Sequence, residues 1–211
     1  MSLPLSSQVI LSDYFAEVDL EELFPDRGKL PLELDLGCGD GLFLLQMAEA
    51  FPERNFLGVE RLKGRVHLVA NKIRRSRLAN LRILRLDTAH VVGWLLPPAS
   101  VRRIHLLFPD PWPKKRHHKN RIVRSAEFLD GVGRVLESDG ELLHKTDQED
   151  YFLETEEAVN AQLWSEQVCW ESEDEELQPY PETDFERQWI SHGRSISRGR
   201  WRRLDRAGPV D

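Results

Sequence analysis

The feature that most constrains the fold is a fivefold alternation of short apolar segments with helical patterns. The apolar segments cover residues 30–37, 55–59, 81–86, 103–108 and 141–145. Segments of this length are typical of buried strands, and their alternation with helices predicts an α/β fold with a doubly wound, mostly parallel sheet. Two later segments, 167–170 and 189–204, are predicted to be extended, and the second is expected to add an antiparallel C-terminal strand.

An acidic residue closes or follows each of the five segments. These residues are Asp35, Glu60, Asp87, Asp110 and Asp147. Doubly wound sheets bind their ligands at the carboxyl ends of the strands, where these residues are predicted to lie. A single acidic residue at a strand end is most simply a turn former or a helix N-cap. Because all five ends are acidic, we predict a ligand site lined by carboxylates.

Length and composition predict one globular domain. The chain has 211 residues with six Trp and nine Phe, which is enough apolar area for a core. It has no window of roughly 20 apolar residues, so no membrane span is expected. We predict a single domain over residues 1–211, with about residues 1–29 as an N-terminal extension. Two isolated cysteines, Cys38 and Cys169, indicate neither a disulfide framework nor a metal pair, which favours the reducing cytoplasm.

The charge of the chain is negative overall but strongly segregated. The net charge of −7 taken alone argues against a nucleic-acid-binding protein. However, residues 61–85 include nine basic and no acidic residues, whereas residues 149–186 include fourteen acidic and no basic residues. Residues 187–206 include seven basic residues and a single acidic one. A local basic surface is therefore possible, although the last block could instead neutralise the acidic one.

A glycine-rich turn, GCGDG at residues 37–41, separates the first predicted strand from a helical pattern. Its third glycine comes one residue earlier than in the dinucleotide fingerprint, and Asp35 and Asp40 would repel a pyrophosphate. The turn therefore favours a cationic ligand without phosphate, such as S-adenosylmethionine, over NAD. Glu60 is placed to accept from the ribose hydroxyls of such a ligand, and Asp87 from its adenine amino group.

Two adjacent loops follow the fourth predicted strand. The proline loop, residues 108–113 (FPDPWP), has three prolines that restrict the chain around Asp110 and Trp112. The basic loop, residues 114–121 (KKRHHKNR), has five permanent positive charges. Basic residues beside an aromatic ring predict phosphate contacts near a base-stacking surface. His117 and His118 have no third ligand at suitable spacing, so we predict no metal site.

Residues 108–123, FPDPWPKKRHHKNRIV, resemble the hallmark motif of the bacterial tRNA (guanine-N7-)-methyltransferase family. The resemblance extends from about Leu34 through the glycine turn, FLGVE, Asp87, KTD at 145–147 and TDFE at 183–186. It implies a Rossmann-like class I methyltransferase fold, S-adenosylmethionine as methyl donor and tRNA as partner. It further implies methylation of N7 of a guanine in the tRNA variable loop. We expect neither a metal nor a membrane among the partners of the protein, and we expect a monomer or homodimer.

The resemblance also implies roles for individual residues. Cofactor contacts are implied for Asp35, Gly37, Gly39, Glu60, Asp87 and Asp110, and Asp110 is also implied as the catalytic residue. Contacts with the substrate guanosine are implied for Lys114, Asp147, Thr183, Asp184, Phe185 and Glu186. Contacts with the RNA are implied for Arg116, His117, His118, Lys119, Asn120 and Arg121. Two positions depart from the family pattern. Asp35 stands where the family commonly has Glu, and Asp184 stands where many members have a basic or polar residue.

The implied chemistry predicts what the protein must supply. Guanine N7 already has a lone pair in the ring plane, so the tasks are alignment, exclusion of water and electrostatics, with no general base. Asp110 or Asp147 would stabilise the positive charge that develops on the guanine. Trp112 and Phe185 are either stacking partners or packed loop aromatics. The open alternatives are methylation of another RNA guanine or of a small molecule, RNA binding without catalysis, and NAD-dependent oxidoreduction.

Overall fold

The computed structural model describes residues 7–162, 164–170 and 177–204, in which eight strands form one sheet. The strands are β1 (Gln8–Val9), β2 (Leu32–Leu36), β3 (Asn55–Val59), β4 (Leu81–Leu84), β5 (Val101–Leu107), β6 (Leu136–Thr146), β7 (Ser165–Val168) and β8 (Ser197–Arg203). Their order is β1-β4-β3-β2-β5-β6-β8-β7. All pairings are parallel except those of β8 with β6 and β7, so the predicted mostly parallel sheet with an antiparallel C-terminal strand is confirmed.

Helices cover both faces of this sheet. They are α1 (Leu20–Leu23), α2 (Leu42–Ala50), α3 (Lys63–Ser76), α4 (Thr88–His90), α5 (Ala126–Val135), α6 (Glu149–Asn160) and α7 (Asp184–Ser191). A π-helical turn spans Val91–Leu95, and 3-10 turns span Lys115–Asn120 and Ile122–Arg124. In α3 the apolar stripe Val66, Val69 and Ile73 is buried, and most of its basic side chains face outward, as the helical spacing predicts.

Two hydrophobic cores lie on opposite faces of the sheet. The first includes Leu34, Ile104 and Leu142 from β2, β5 and β6 and is covered by the π-helical turn, α5 and α6. The second packs α2 and α3 against Phe56 and Ile83 of β3 and β4. The strands thus carry apolar residues on both faces over this part of the sheet, which is typical of a doubly wound fold.

A row of buried charges replaces the second core over β2, β5, β6 and β8. Glu33 accepts from Arg103 at 3.0 Å, Glu141 accepts from the same guanidinium at 3.2 Å, and Arg200 donates to Glu141 at 2.6 Å. All four side chains are almost fully buried. The Nε2 atom of His105 lies 2.9 Å from Glu33 and its Nδ1 atom 2.8 Å from the Tyr180 hydroxyl. The row joins four strands through ion pairs at the amino-terminal part of the parallel strands.

Three details differ from expectation. The segment 189–204 is only partly extended, because α7 runs to Ser191 and β8 begins at Ser197. The strand predicted at 167–170 is shifted to β7, and β1, which pairs with β4, has no counterpart in the prediction. The single-domain assignment, with its N-terminal extension, stays a prediction, and the acidic residues 171–176 lie outside the described residues. In the described part of the chain, no helix combines the length and apolar character needed to cross a membrane.

Candidate active site

The glycine turn forms one wall of a cavity at the carboxyl ends of the strands. Its glycines have positive φ angles of 88° at Gly37, 58° at Gly39 and 72° at Gly41, which residues with a Cβ rarely adopt. A Cβ at Gly41 would also lie 2.7 Å from a methyl group of Val69. Glycine is therefore required both for the turn and for the close approach of α2 to α3.

Four of the five strand-end carboxylates line this one cavity, which has a volume of about 840 Å³. They are Asp35 in β2, Glu60 after β3, Asp87 after β4 and Asp110 after β5. Gly37 and Gly39 line it as well. Asp147 does not line the cavity, and its side chain is 8% exposed and bonded to the Arg194 guanidinium. The sheet therefore brings together the predicted cofactor residues and leaves Asp147 outside their cavity.

Asp35 is buried in the wall of the cavity beside other carboxylates. Burial, followed by the negative charges of Glu60 and Asp40, raises the pKa of Asp35 from 3.8 to about 8. Burial and the same acidic neighbours raise the pKa of the Cys38 thiol, which keeps it protonated. A buried carboxylate is poorly solvated, and a ligand of positive charge stabilises its ionised form. This wall of the cavity therefore favours a cationic group.

Glu60 and Asp87 are each oriented by a backbone amide. The Oε1 atom of Glu60 accepts from the Leu62 amide at 2.8 Å, and its Oε2 atom lies 3.6 Å from the Arg65 guanidinium. The Oδ1 atom of Asp87 accepts from the Ala89 amide at 3.0 Å, so Asp87 is the N-cap of α4. Asp87 therefore caps a helix and lines the cavity, whereas these two roles are alternatives in the sequence analysis.

Asp110 lies in the proline loop, exposed at the mouth of the cavity. The residues Phe108 and Trp112, two positions before and after it, have φ angles of 50° and 49°. This left-handed conformation is unfavourable for residues other than glycine and persists where the surrounding structure enforces it. The loop is therefore held in a strained shape that presents Asp110 to the cavity.

The basic loop is mostly exposed, but its last residue is not. Lys114, Arg116, Lys119 and Asn120 are exposed, and the partly buried His117 ring packs edge-on against Trp112 with centroids 6.1 Å apart. His118 is partly buried, with Nε2 at 4.0 Å from Asp150. Arg121 is 3% exposed, whereas sequence reasoning placed it on the RNA. Lys119, Asn120 and Arg121 line the cavity, and Lys114, Arg116, His117 and His118 do not.

The TDFE segment forms the start of α7. The Thr183 hydroxyl caps the helix by accepting from the Glu186 amide at 3.0 Å. Thr183, Asp184 and Phe185 line the cavity, and Phe185 is 47% exposed. Glu186 faces away from it, is fully buried, and pairs with Lys145 at 2.7 Å and Arg198 at 2.9 Å. The side chain of Glu186 therefore holds α7 on the sheet.

Sequence reasoning missed several residues of the cavity wall. Tyr151 from α6, Phe43 from α2 and Arg65 from α3 line it, together with residues 122, 124 and 125 after the basic loop. Residue 122 lies near the end of the motif at residues 108–123 and Arg65 in the basic block of residues 61–85, whereas the others belong to no motif named above. Across the described residues, no group of three or more His, Cys, Asp or Glu side chains is arranged to hold a metal ion.

Comparison with known sequences places the chain among methyltransferases. A family profile described as "Putative methyltransferase" matches residues 29–198. The chain is 37% identical to a tRNA (guanine-N(7)-)-methyltransferase of Halorhodospira halophila, over 85% of this chain and 77% of the relative. It is 34% identical to the protein of the same name from Vibrio parahaemolyticus, over 90% of this chain and 77% of the relative.

Comparison with solved structures agrees on the fold. The 16S rRNA (adenine(1408)-N(1))-methyltransferase from Catenulisporales acidiphilia superposes with a TM-score of 0.61 at 16% identity, over 92% of this chain and 96% of that one. The 16S rRNA methyltransferase KamB superposes with the same TM-score of 0.61 at 19% identity, over 87% and 93% of the two chains. At this level of identity the likeness establishes the class I methyltransferase fold alone.

Proposed function

Because the chain belongs to the tRNA (guanine-N(7)-)-methyltransferase family, we propose that it methylates N7 of a guanine in tRNA, with S-adenosylmethionine as donor. The observation that carries the proposal is the position of the carboxylate-lined cavity directly beside an exposed basic loop. The cavity supplies a site for a cationic donor and the loop a surface for the polyanionic acceptor.

The residues of the cavity fit S-adenosylmethionine, which supplies an electrophilic methyl group when bound. Burial, followed by the negative charges of Glu60 and Asp40, raises the pKa of Asp35, and we assign this carboxylate to the ammonium group of the donor. Glu60 is assigned to the ribose hydroxyls and Asp87 to the adenine amino group. A Cβ at Gly37 would meet no atom within 4 Å, so this turn leaves open space against its backbone, and Gly39 has only a carbonyl oxygen at 4.0 Å.

We assign Asp110 as the catalytic residue, with an electrostatic and positioning role. The acceptor nitrogen needs no deprotonation, so a carboxylate at the mouth of the cavity acts by stabilising positive charge and by accepting from guanine N–H groups. The strained proline loop supports this role, because a fixed carboxylate stabilises developing charge without rearranging at the moment of reaction.

Guanosine contacts are proposed for the start of α7, for Lys114 and for Asp147. Thr183, Asp184 and Phe185 reach the cavity, and the half-exposed Phe185 ring offers a surface for stacking the base. Lys114 is exposed where the basic loop begins. The remaining two, Glu186 and Asp147, support the contact from behind, through Lys145 and Arg194 respectively.

The RNA interface is proposed to lie on both sides of the cavity. On one side we place Arg116, His117, His118, Lys119 and Asn120 of the basic loop. On the other side we place the α3 surface, defined as Arg61, Lys63, Arg65, Arg74 and Arg75, all of which are exposed. Arg61 and Arg65 line the cavity, so the α3 surface begins at its rim and follows the helix away from it.

Three further properties complete the proposal. We propose a cytoplasmic location, because that is where a tRNA substrate would be met. Methyl transfer to N7 needs no metal under this mechanism, and activity should survive treatment with a chelator. We propose that the protein acts as a monomer or homodimer, and light scattering of the purified protein will distinguish these two states.

The function is tested by incubating the purified protein with labelled S-adenosylmethionine and unmodified tRNA, and then identifying the methylated nucleoside after digestion. We expect 7-methylguanosine in tRNA and none in ribosomal RNA treated in parallel. Label in ribosomal RNA guanine alone would support methylation of another RNA instead. Cofactor binding without transfer to either RNA would refute the substrate assignment and leave the fold assignment intact.

A further inference from the structure

Arg121 differs from the other basic residues of its loop in where its charge is directed. Its side chain is 2% exposed and lies against α6. Nη2 donates to Asp150 at 2.7 Å, Nη1 donates to Glu154 at 2.6 Å, and the guanidinium lies 4.6 Å above the centroid of the Tyr151 ring. Nε donates to the carbonyl oxygen of Pro111 at 2.9 Å. One side chain therefore connects the proline loop, the basic loop and α6.

The bond to Pro111 lies at the strained part of the proline loop. Pro111 is placed between Asp110 and Trp112, and Trp112 has the left-handed φ angle of 49°. A residue in that conformation relaxes to a more favourable one unless its surroundings prevent it. The prolines restrict rotation within the loop, but they do not attach the loop to the rest of the protein. The Phe108 amide donates to the Lys145 carbonyl oxygen at 2.8 Å where the loop begins, and Arg121 attaches the loop again at the Pro111 carbonyl, next to Asp110.

The charge of Arg121 is already compensated within the chain. Burial tends to lower the pKa of Arg121, but the hydrogen bonds that it donates to Asp150 and Glu154 raise the pKa above its usual value. The same hydrogen bond from Arg121 lowers the pKa of Asp150. An RNA phosphate would have to displace two carboxylates to reach this guanidinium, and those carboxylates would repel the phosphate.

We propose that Arg121 is a positioning residue that clamps the proline loop to α6 and thereby fixes Asp110 at the cavity. The inference rests on the proposed function for the identity of the reaction, but the clamp itself is a property of the free protein. Asp150 and Glu154 belong to the clamp, so two acidic residues of the negatively charged block contribute to an RNA-modifying site.

The decisive variant is the double substitution Asp150→Asn and Glu154→Gln, because it leaves Arg121 unchanged. A clamp predicts a fall in kcat of about tenfold to a hundredfold, since small displacements of a catalytic group have effects of this size. The KM for tRNA should change little. If Arg121 instead contacts phosphate, removing the two competing carboxylates should strengthen tRNA binding and leave kcat unchanged. A clamp thus predicts a change in kcat, whereas a phosphate contact predicts a change in tRNA affinity.

A second pair of variants separates the clamp from a general loss of structure. Arg121→Lys keeps the charge but cannot reach all three acceptors, and it should lower kcat while the dependence of tRNA affinity on salt stays as in the wild type. The comparison variant Arg116→Ala removes an exposed charge of the same loop, and it should weaken tRNA binding and reduce its salt dependence. Normal kcat in both Arg121→Lys and the double variant would overturn the proposal.

Hydrogen exchange measured without RNA makes the test independent of the reaction. Loss of the clamp should raise exchange in peptides covering residues 108–113 in Arg121→Lys and in the double variant, and not in Arg116→Ala. Unchanged exchange in the two clamp variants would overturn the clamp. If the wild type produces no 7-methylguanosine while exchange rises as described, the proposed function fails and the clamp stands.

Discussion

Glu33 and Asp35 are two residues apart on the same face of β2, yet their environments have opposite electrostatic character. Glu33 lies in the row of buried charges, where His105, Arg103 and Arg54 outweigh the effect of burial and lower its pKa to about 2. Asp35 lies in the cavity wall, where burial and two further carboxylates raise its pKa to about 8. Two carboxyl groups about 7 Å apart along the strand therefore differ: Glu33 is ionised and paired with cations, whereas Asp35 keeps its proton at neutral pH in the absence of a bound cation.

The comparison of Glu33 with Asp35 separates the buried acidic residues of the sheet into two groups, those in internal ion pairs and those at the cavity. At the amino-terminal part of the strands, each buried carboxylate has a cation supplied by another strand, and these ion pairs hold the sheet together. At the carboxyl ends, the carboxylates face a cavity, and a bound cation would complete their pairing. A carboxylate with an internal cation should thus matter for stability, and a carboxylate at the cavity for ligand binding and turnover.

The largest expected effect is on stability, from Glu141→Gln. This change removes the carboxylate that pairs with Arg103 and Arg200, and leaves two buried guanidinium groups short of negative charge. Breaking a buried ion pair by neutralising one partner costs about 3–5 kcal/mol, so the free energy of unfolding should fall by that amount in urea titrations. The exposed Glu49→Gln serves as control and should change it by less than about 0.5 kcal/mol.

Asp110→Asn should show the reverse pattern. Turnover with tRNA should fall by about a hundredfold or more, as when one preorganised electrostatic contact is removed from an active site. The unfolding free energy should change by less than about 0.5 kcal/mol, because Asp110 is exposed. Single-turnover kinetics and urea titration of the same preparation provide both quantities. Near-normal turnover would refute the electrostatic role of Asp110.

Asp35 predicts a dependence of cofactor affinity on pH. The unfolded chain releases this proton near pH 4, but the folded protein keeps it until about pH 8, so the contribution of Asp35 to stability falls as pH rises through that range. Binding of a cationic ligand should instead strengthen, by up to about tenfold per pH unit between pH 6 and 8, and level off above. Calorimetric titration with S-adenosylmethionine measures this, and Asp35→Asn should flatten the profile. A flat profile in the wild type would contradict the assignment.

The smallest effect is expected from the α3 surface, and it extends the comparison to basic residues. Arg61→Ala or Arg75→Ala should each reduce the slope of log affinity for tRNA against log salt by about 0.7–0.9 if the residue neutralises one phosphate. Arg202→Ala is the matched control, because Arg202 lies on β8 at 3.5 Å from Glu141 and should leave the slope unchanged. Equal slopes for α3 and β8 variants would show that both basic segments serve the same purpose.

Most of the fold could be predicted because it depends on local periodicity. The strands β2 to β6 have the length and apolar character of buried strands, the helices between them have helical spacing, and parallel pairing follows from their alternation. The start of α7 could not be predicted in this way. Its first turn combines Thr183 as cap with Glu186, whose burial depends on Lys145, 41 residues away in the chain.

The residues of the candidate site also fall into those that could be predicted from local pattern and topology and those that depend on contacts between distant parts of the chain. The strand-end acids were predicted because topology alone brings the carboxyl ends of parallel strands to one edge. The burial of Arg121 was not predicted, because nothing in the sequence distinguishes this residue from its exposed basic neighbours. Its burial depends on α6, which supplies the carboxylates of Asp150 and Glu154. The arginines of β8 show the same limit, since Arg200 pairs with Glu141 of β6 and Arg198 pairs with Glu186 of α7.

The position of β8 in the sheet has a consequence for protein synthesis. The strand lies between β6 and β7, which are both made before it, and the edge strand β7 pairs with β8 in this sheet. While the chain is still on the ribosome, Glu141 therefore lacks Arg200, and β7 lacks the strand to which it binds. Translation must proceed through residues 197–203 before β6, β8 and β7 can form this edge of the sheet. A chain terminated earlier exposes an open sheet edge, the kind of defect that chaperones and proteases recognise.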